Sequence, residues 1–220
     1  MCFSATADFA GSAVLGAIGI ATLHRVKQRR ELLLAAVPCL FAIHEFIEGF
    51  VWLGLNGTLS LQAAHNFGAA YVLYAQGILP FLLPFSLYLI EPTRRQRRRM
   101  LGFVILGGVL ALYLLWGLIA YPLAISMQAN SILYVNVITT TTLVAVLYVT
   151  ATCGSLFFSG YRTLVALGWY NLAGLLVVAL VKRYAFTSVW CAYAAAVSVI
   201  IYFFFSRSRT GPLARAVLAV

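Results

Sequence analysis

The chain has 220 residues, of which 63% are hydrophobic and 9% charged, with five Asp plus Glu against fifteen Lys plus Arg and a formal net charge of +10. A soluble domain carries roughly a quarter charged residues, so this composition excludes that class and points to a polytopic membrane protein. The positive balance also fails to mark a nucleic-acid binder, because its largest cluster, "RRQRRR", sits in a short link between apolar runs, where it reads as a topology signal.

Apolar runs near or above the ~18 residues needed to cross a ~30 Å hydrocarbon core predict seven helices, over 5–24, 32–55, 66–90, 100–120, 131–151, 161–181 and 186–206. No alternation of short strands signals a membrane β-barrel. Residues 1–206 then form one all-α seven-helix transmembrane domain and 207–220 a short basic tail, with no segment between spans long enough for a soluble domain. The first span is expected to be retained, since "MCFSATADF" has no basic region ahead of its apolar run.

The cations set the orientation. Arg25, Lys27, Arg29 and Arg30 follow the first span, Arg94, Arg95, Arg97, Arg98 and Arg99 follow the third, Arg162 opens the sixth, and Arg207, Arg209 and Arg215 follow the seventh. Only Lys182 and Arg183 fall on the opposite side. Short loops rich in Lys and Arg stay cytoplasmic, so the N-terminus is predicted outside and the C-terminus inside, with anionic lipid headgroups as natural neighbours of the arginines.

The second span contains "AIHEFIEGFVWLGL", where His44, Glu45 and Glu48 interrupt an apolar run. Residues three and four apart share a helix face, which aligns these three with Trp52. An ionised group at mid-bilayer costs roughly 2.5–3.5 kcal/mol on insertion scales, so both acids are expected to face the bundle interior or a cavity. Gln76, Asn136, Asn171, the tyrosines Tyr71, Tyr74 and Tyr170, and the run Thr139 to Thr142 are predicted at comparable depth, the Thr run mostly as interhelical glue. Nearer the outer surface lie Cys2, Asp8, His65, Asn66, Lys182, Arg183, Trp190 and Cys191. There Asp8 or Glu48 is expected to pair with Lys182 or Arg183. Ser12 and Gly16 have small-xxx-small spacing, which predicts close packing of the first two helices and brings Asp8 toward Glu48.

"HEFIE" follows the zinc-hydrolase pattern H-E-x-x-H up to its last position, where Glu48 replaces the second His. A His and a carboxylate one turn apart can still ligate a metal, with His65, Cys2 or Cys191 as further ligands, and a metal ion is the cofactor the residues could hold. Cys39 and Cys153 fall within or at the inner ends of helices, so the four cysteines form no disulfide framework, though Cys2 and Cys191 approach the oxidising side. The seventh span has no Lys for a retinal Schiff base. With three His in the chain and none in that span, it also lacks the closing His pair of the seven-helix hydrolases related to alkaline ceramidases.

The opening "MCFSATADF" and the string "IEGFVWLGL" resemble an uncharacterised family of bacterial multi-spanning proteins that begin Met-Cys-Phe-Ser-Ala and carry Glu-Gly-x-Val-Trp in the second helix. The resemblance implies the cytoplasmic (inner) membrane of a bacterium and singles out Cys2, Ser4, Glu48, Gly49 and Trp52 without assigning roles.

The leading expectation is therefore an outward-opening intramembrane site, centred on Glu45 and Glu48 and tuned by His44, that binds a cation, protons or a small polar ligand for transport or sensing. Gln76, Asn136 and Asn171 would donate hydrogen bonds to it. The alternatives are an intramembrane metal- or thiol-dependent enzyme using His44, Glu45, Glu48, His65, Cys2 and Cys191, and a structural or accessory subunit. The composition leaves room for a homo-oligomer.

Overall fold

The computed structural model describes residues 4–128, 131–139, 141–181 and 186–207, and the side chains among them except at 128, 176–181, 186–192 and 207. Its elements in chain order are α1 (Ala5–Leu23), α2 (Leu32–Leu55), α3 (Leu61–Val72), a π-helical turn (Leu73–Ile78), α4 (Leu79–Ile90), α5 (Arg94–Ala120), β1 (Ala124–Gln128), β2 (Ser131–Val135), α6 (Thr142–Phe157), α7 (Arg162–Val181) and α8 (Phe186–Arg207). Ser4, Ser60, Thr93 and Thr141 cap α1, α3, α5 and α6, each hydroxyl accepting from the backbone N–H three residues on. Such caps satisfy donors that a helix start would otherwise leave open, which is costly next to lipid. The α2–α3 turn is closed by Gly57 at φ 81°, where a side chain would be strained.

The protein is thus mostly helical, and among the described residues four helical segments are long and apolar enough to cross a membrane: Ala5–Leu23, Arg29–Leu55, Leu61–Ile90 and Arg94–Ala120. Helix α5 shows what surrounds them. Gly107, Leu110, Leu114 and Gly117 form its buried side. Ile105, Val109, Leu112, Trp116 and Ile119 recur at the same three-to-four spacing on the other side and are exposed, Ile119 to 79%. In water each such side chain would forfeit about 1.5–3 kcal/mol of burial, whereas hydrocarbon accepts a helix that is apolar all round.

Helix α2 is the most buried of the four segments and α1 the least. Leu34, Val37 and Phe41 of α2 pack with Leu83 and Leu87 of α4, Leu164 and Leu167 of α7, and Ile201 and Phe204 of α8 in one core. Helix α1 lies along α2 over its whole length. The contact is close because Gly16 faces Ala42 and Gly19 faces Cys39, with no space for a Cβ at Gly19. Ser12 adds a hydrogen bond from its hydroxyl to the Ala42 carbonyl, 2.8 Å.

Two predicted boundaries move and one element changes type. The third helix starts at Leu61 and the fourth at Arg94, because Ser60 and Thr93 supply caps upstream of the apolar runs. The helix predicted over 131–151 is displaced: 131–135 is a strand, and α6 runs only from Thr142 to Phe157. "AISMQ" and "SILYV" pair antiparallel, with Ala124 opposite Val135 and Gln128 opposite Ser131. The alternating, β-branched "SILYV" puts Ile132 against Val51 and Trp52 on its inner face. Between α5 and α6, residues 124–128 and 131–135 therefore form a strand pair and 137–139 a turn, where only a short link between spans was expected.

Candidate functional site: a buried carboxylate cluster

The spacing of α2 sends His44, Glu45, Glu48 and Trp52 inward while Ile43 and Phe46 stay exposed. Asp8 stands one turn into α1, past the Ser4 cap, on the side that faces α2. Gly11 and Gly49 set the closeness: a Cβ on Gly11 would lie 4.0 Å from a Glu45 carboxylate oxygen, and one on Gly49 only 2.6 Å from the Phe9 ring. One carboxylate oxygen from each of Asp8, Glu45 and Glu48 lies within 4.8 Å of the others. All three residues are at most 2% exposed.

Aromatic rings close the cluster. The Trp52 indole lies beside Asp8 and the Tyr71 phenol beside Glu48, neither at hydrogen-bonding geometry, so the oxygens of Asp8 and Glu48 accept no hydrogen bond from the described residues. Tyr71 is the middle of a three-ring stack, 3.7 Å from His44 on one side and 4.8 Å from Tyr134 of β2 on the other. Tyr134 faces the same carboxylates. The hairpin that carries it is moored by Asn136, whose amide donates to the carbonyls of Gly117 and Tyr121 at the end of α5, 3.2 and 3.3 Å, and accepts from the Ile138 N–H.

The structure brings Glu45 and Glu48 together with Asp8. His44 is buried, but its ring lies between Tyr71 and Tyr74, and neither of its nitrogens has a hydrogen-bond partner among the described residues. His65 and Asn66 are exposed on α3. Gln76 is half-buried in the π turn. Asn136 is committed to the hairpin, Thr139 to the turn after it through the Asn136 carbonyl, and Thr141 to capping α6. Asn171 lies beside the Cys153 thiol. Cys2, Lys182 and Arg183 lie outside the described residues, as do the side chains of Trp190 and Cys191.

Three contributors escape the sequence reading. Tyr134 and its hairpin are hidden because 131–151 reads as a span. Tyr71 is placed at the right depth, but nothing in the sequence shows it stacking on His44. Glu91, at the far end of the bundle, is fully buried; one oxygen accepts from Ser159 at 2.6 Å and from the Gly160 N–H at 3.0 Å.

Three carboxylates packed together away from water call for a counter-charge or for protons. Oxygens within 4.8 Å of one another are near enough to share one cation, whose bonds to oxygen run about 2.3–2.6 Å for Ca²⁺ and ~2.1 Å for Mg²⁺. An all-oxygen donor set favours hard ions such as Mg²⁺, Ca²⁺ or Mn²⁺ over zinc or copper.

Fold and site together define a helical membrane protein with an interior cluster of three acids sealed by aromatic rings. Residues 1–216 match the model of DUF6629, a family of unknown function, and the chain belongs to that family. No curated protein and no solved structure matches it.

Proposed function

We propose that this is a seven-span protein of the bacterial cytoplasmic membrane, N-terminus outside and C-terminus inside, whose Asp8–Glu45–Glu48 site binds a hard divalent cation for transport or sensing. The observation that carries this reading is the convergence of three buried carboxylate oxygens within 4.8 Å. The unpartnered Trp52 indole and Tyr134 hydroxyl beside them are suited to the water molecules that a Mg²⁺-like ion keeps when it binds.

The donor set supports this reading over an intramembrane hydrolase: among the described residues it is oxygen only, with His44 turned into the aromatic stack and His65 exposed. The test is titration of the purified protein in nanodiscs with Mn²⁺, following the loss of the free-ion paramagnetic signal. One saturable ion per chain is expected, at least tenfold weaker in Glu48→Gln; equal binding by wild type and variant would remove the site.

A further inference from the structure

The most concentrated charge in the molecule lies outside the carboxylate cluster. Arg94, Arg95, Arg97, Arg98 and Arg99 occupy the first two turns of α5 and, apart from half-buried Arg97, are exposed. Arg94 and Arg98, like Arg95 and Arg99, stand one turn apart, where like charges repel, and the helix dipole adds to the cost at this end. The five acids of the chain are placed elsewhere. Asp8, Glu45 and Glu48 cluster in the bundle, Glu31 accepts from the Lys27 and Gln28 N–H groups, and the buried Glu91 carboxylate accepts from Ser159 and Gly160. Among the described residues the arginines therefore gather repulsion without a counter-charge.

These arginines line two adjoining hollows that share Arg94 and Arg98. One is completed by Arg95 and Arg99, the other by Arg97 together with Tyr88 of α4 and Leu101 of α5. An apolar seam leads on from the second hollow into the span. Residues 94, 98, 101, 105 and 108 share one side of α5 by their three-and-four spacing, and Leu101 and Ile105 on that side are 45% and 58% exposed. On α4, which packs against α5, the rings of Phe81, Phe85 and Tyr88 stack in series with centroids 5.2 and 6.4 Å apart. The seam closes where Gly108 meets the Phe81 ring and Gly107 meets the Pro80 carbonyl.

The groove is pinned at its apex. Only Glu91, Pro92 and Thr93 link α4 to α5. Arg97 Nε donates to the Glu91 carbonyl at 2.8 Å, Thr93 caps α5, and the Glu91 carboxylate ties the link to Ser159 and Gly160 between α6 and α7. Walls fixed before a ligand arrives lose little freedom when it binds.

Topology alone accounts for arginines in this link, but any arrangement of them would serve it. It does not account for two adjoining basic hollows at the mouth of an apolar seam walled by aromatic rings. We propose that the groove between α4 and α5 binds an anionic phospholipid with two phosphates, one in each hollow, and an acyl chain along Leu101 and Ile105 against Phe81 and Phe85. Guanidinium forks pair with phosphate oxygens two at a time. Basic pockets between spans at the cytoplasmic surface meet such headgroups at their own depth, and only a lipid, not a free phosphate, uses the seam as well. The inference is independent of what the carboxylate cluster binds.

The test is native mass spectrometry of the delipidated full chain in detergent micelles, titrated with diphosphatidylglycerol, with phosphatidylglycerol of the same acyl chains, or with inorganic pyrophosphate. One diphosphatidylglycerol per chain is expected, held roughly tenfold tighter than phosphatidylglycerol. The double variant Arg94→Gln with Arg98→Gln should weaken it about tenfold. Arg29→Gln with Arg162→Gln, which removes equal charge at exposed positions outside the groove, should weaken it less than about twofold. No retained lipid, equal affinity for the two lipids, or equal loss in the two double variants overturns the proposal. Displacement of the lipid by equimolar pyrophosphate also overturns it, by giving the arginines to free phosphate.

Discussion

Glu48 is fully buried, both its oxygens lack hydrogen-bond partners among the described residues, and Asp8 and Glu45 are its neighbours. Removing one acid from such a group relieves like-charge repulsion and desolvation, so a buried acid can be worth more to function than to stability. Glu48→Gln is therefore expected to raise the melting temperature of the cation-free protein by a few degrees and to abolish the further rise that Mn²⁺ gives wild type. A thermal-shift series with and without Mn²⁺ reads both effects; a variant less stable than wild type that still responds to Mn²⁺ would contradict them. Tyr134→Phe separates packing from polarity at the same site. It keeps the ring stack on Tyr71, so thermal stability should hold while Mn²⁺ affinity falls severalfold.

At the scale of elements, the α1–α2 contact positions the site. Gly49 admits the Phe9 ring and Gly19 admits Cys39, so Gly49→Leu should force α1 away at a cost of about 1–3 kcal/mol and weaken Mn²⁺ binding with it. Denaturation of the variant and its Mn²⁺ titration should shift together; binding at wild-type strength would show that α1 does not shape the site.

This contact was largely legible in the sequence, because Ser12 and Gly16 have packing spacing and Asp8 lies one turn earlier on the same helix. The inward face of α2 was legible too, since two acids at i and i+3 in an apolar helix have few other directions. The hairpin was not legible. "SILYV" is apolar enough to pass for the start of a span, and the polar Asn136, Thr139 and Thr141 after it read as part of that span when they are a mooring, a turn and a cap. Partners drawn from distant helices, such as Tyr71 on His44 or Ser159 on Glu91, depend on tertiary packing that no local pattern encodes.

For the whole molecule, the exposed apolar stripe of α5 and the four long apolar segments place the chain in a membrane, and the cation distribution supplies the proposed orientation. With Cys2, Cys39, Cys153 and Cys191 replaced by Ser, single cysteines at Thr58, in the α2–α3 turn, and at Gln28, before α2, should then react with a membrane-impermeant maleimide on opposite sides of intact cells. Thr58→Cys should label from outside and Gln28→Cys only after lysis. The reverse pattern would invert the topology and move Glu91 to the outer face.

The most direct measurement is a structure of the full-length protein determined with Mn²⁺ and recorded at the manganese absorption edge. A single anomalous peak is predicted among Asp8, Glu45 and Glu48, about 2.1–2.6 Å from an oxygen of each, and absent in Glu48→Gln. A peak elsewhere in the bundle, or none at saturating Mn²⁺, would contradict the assignment of these three acids as a cation site.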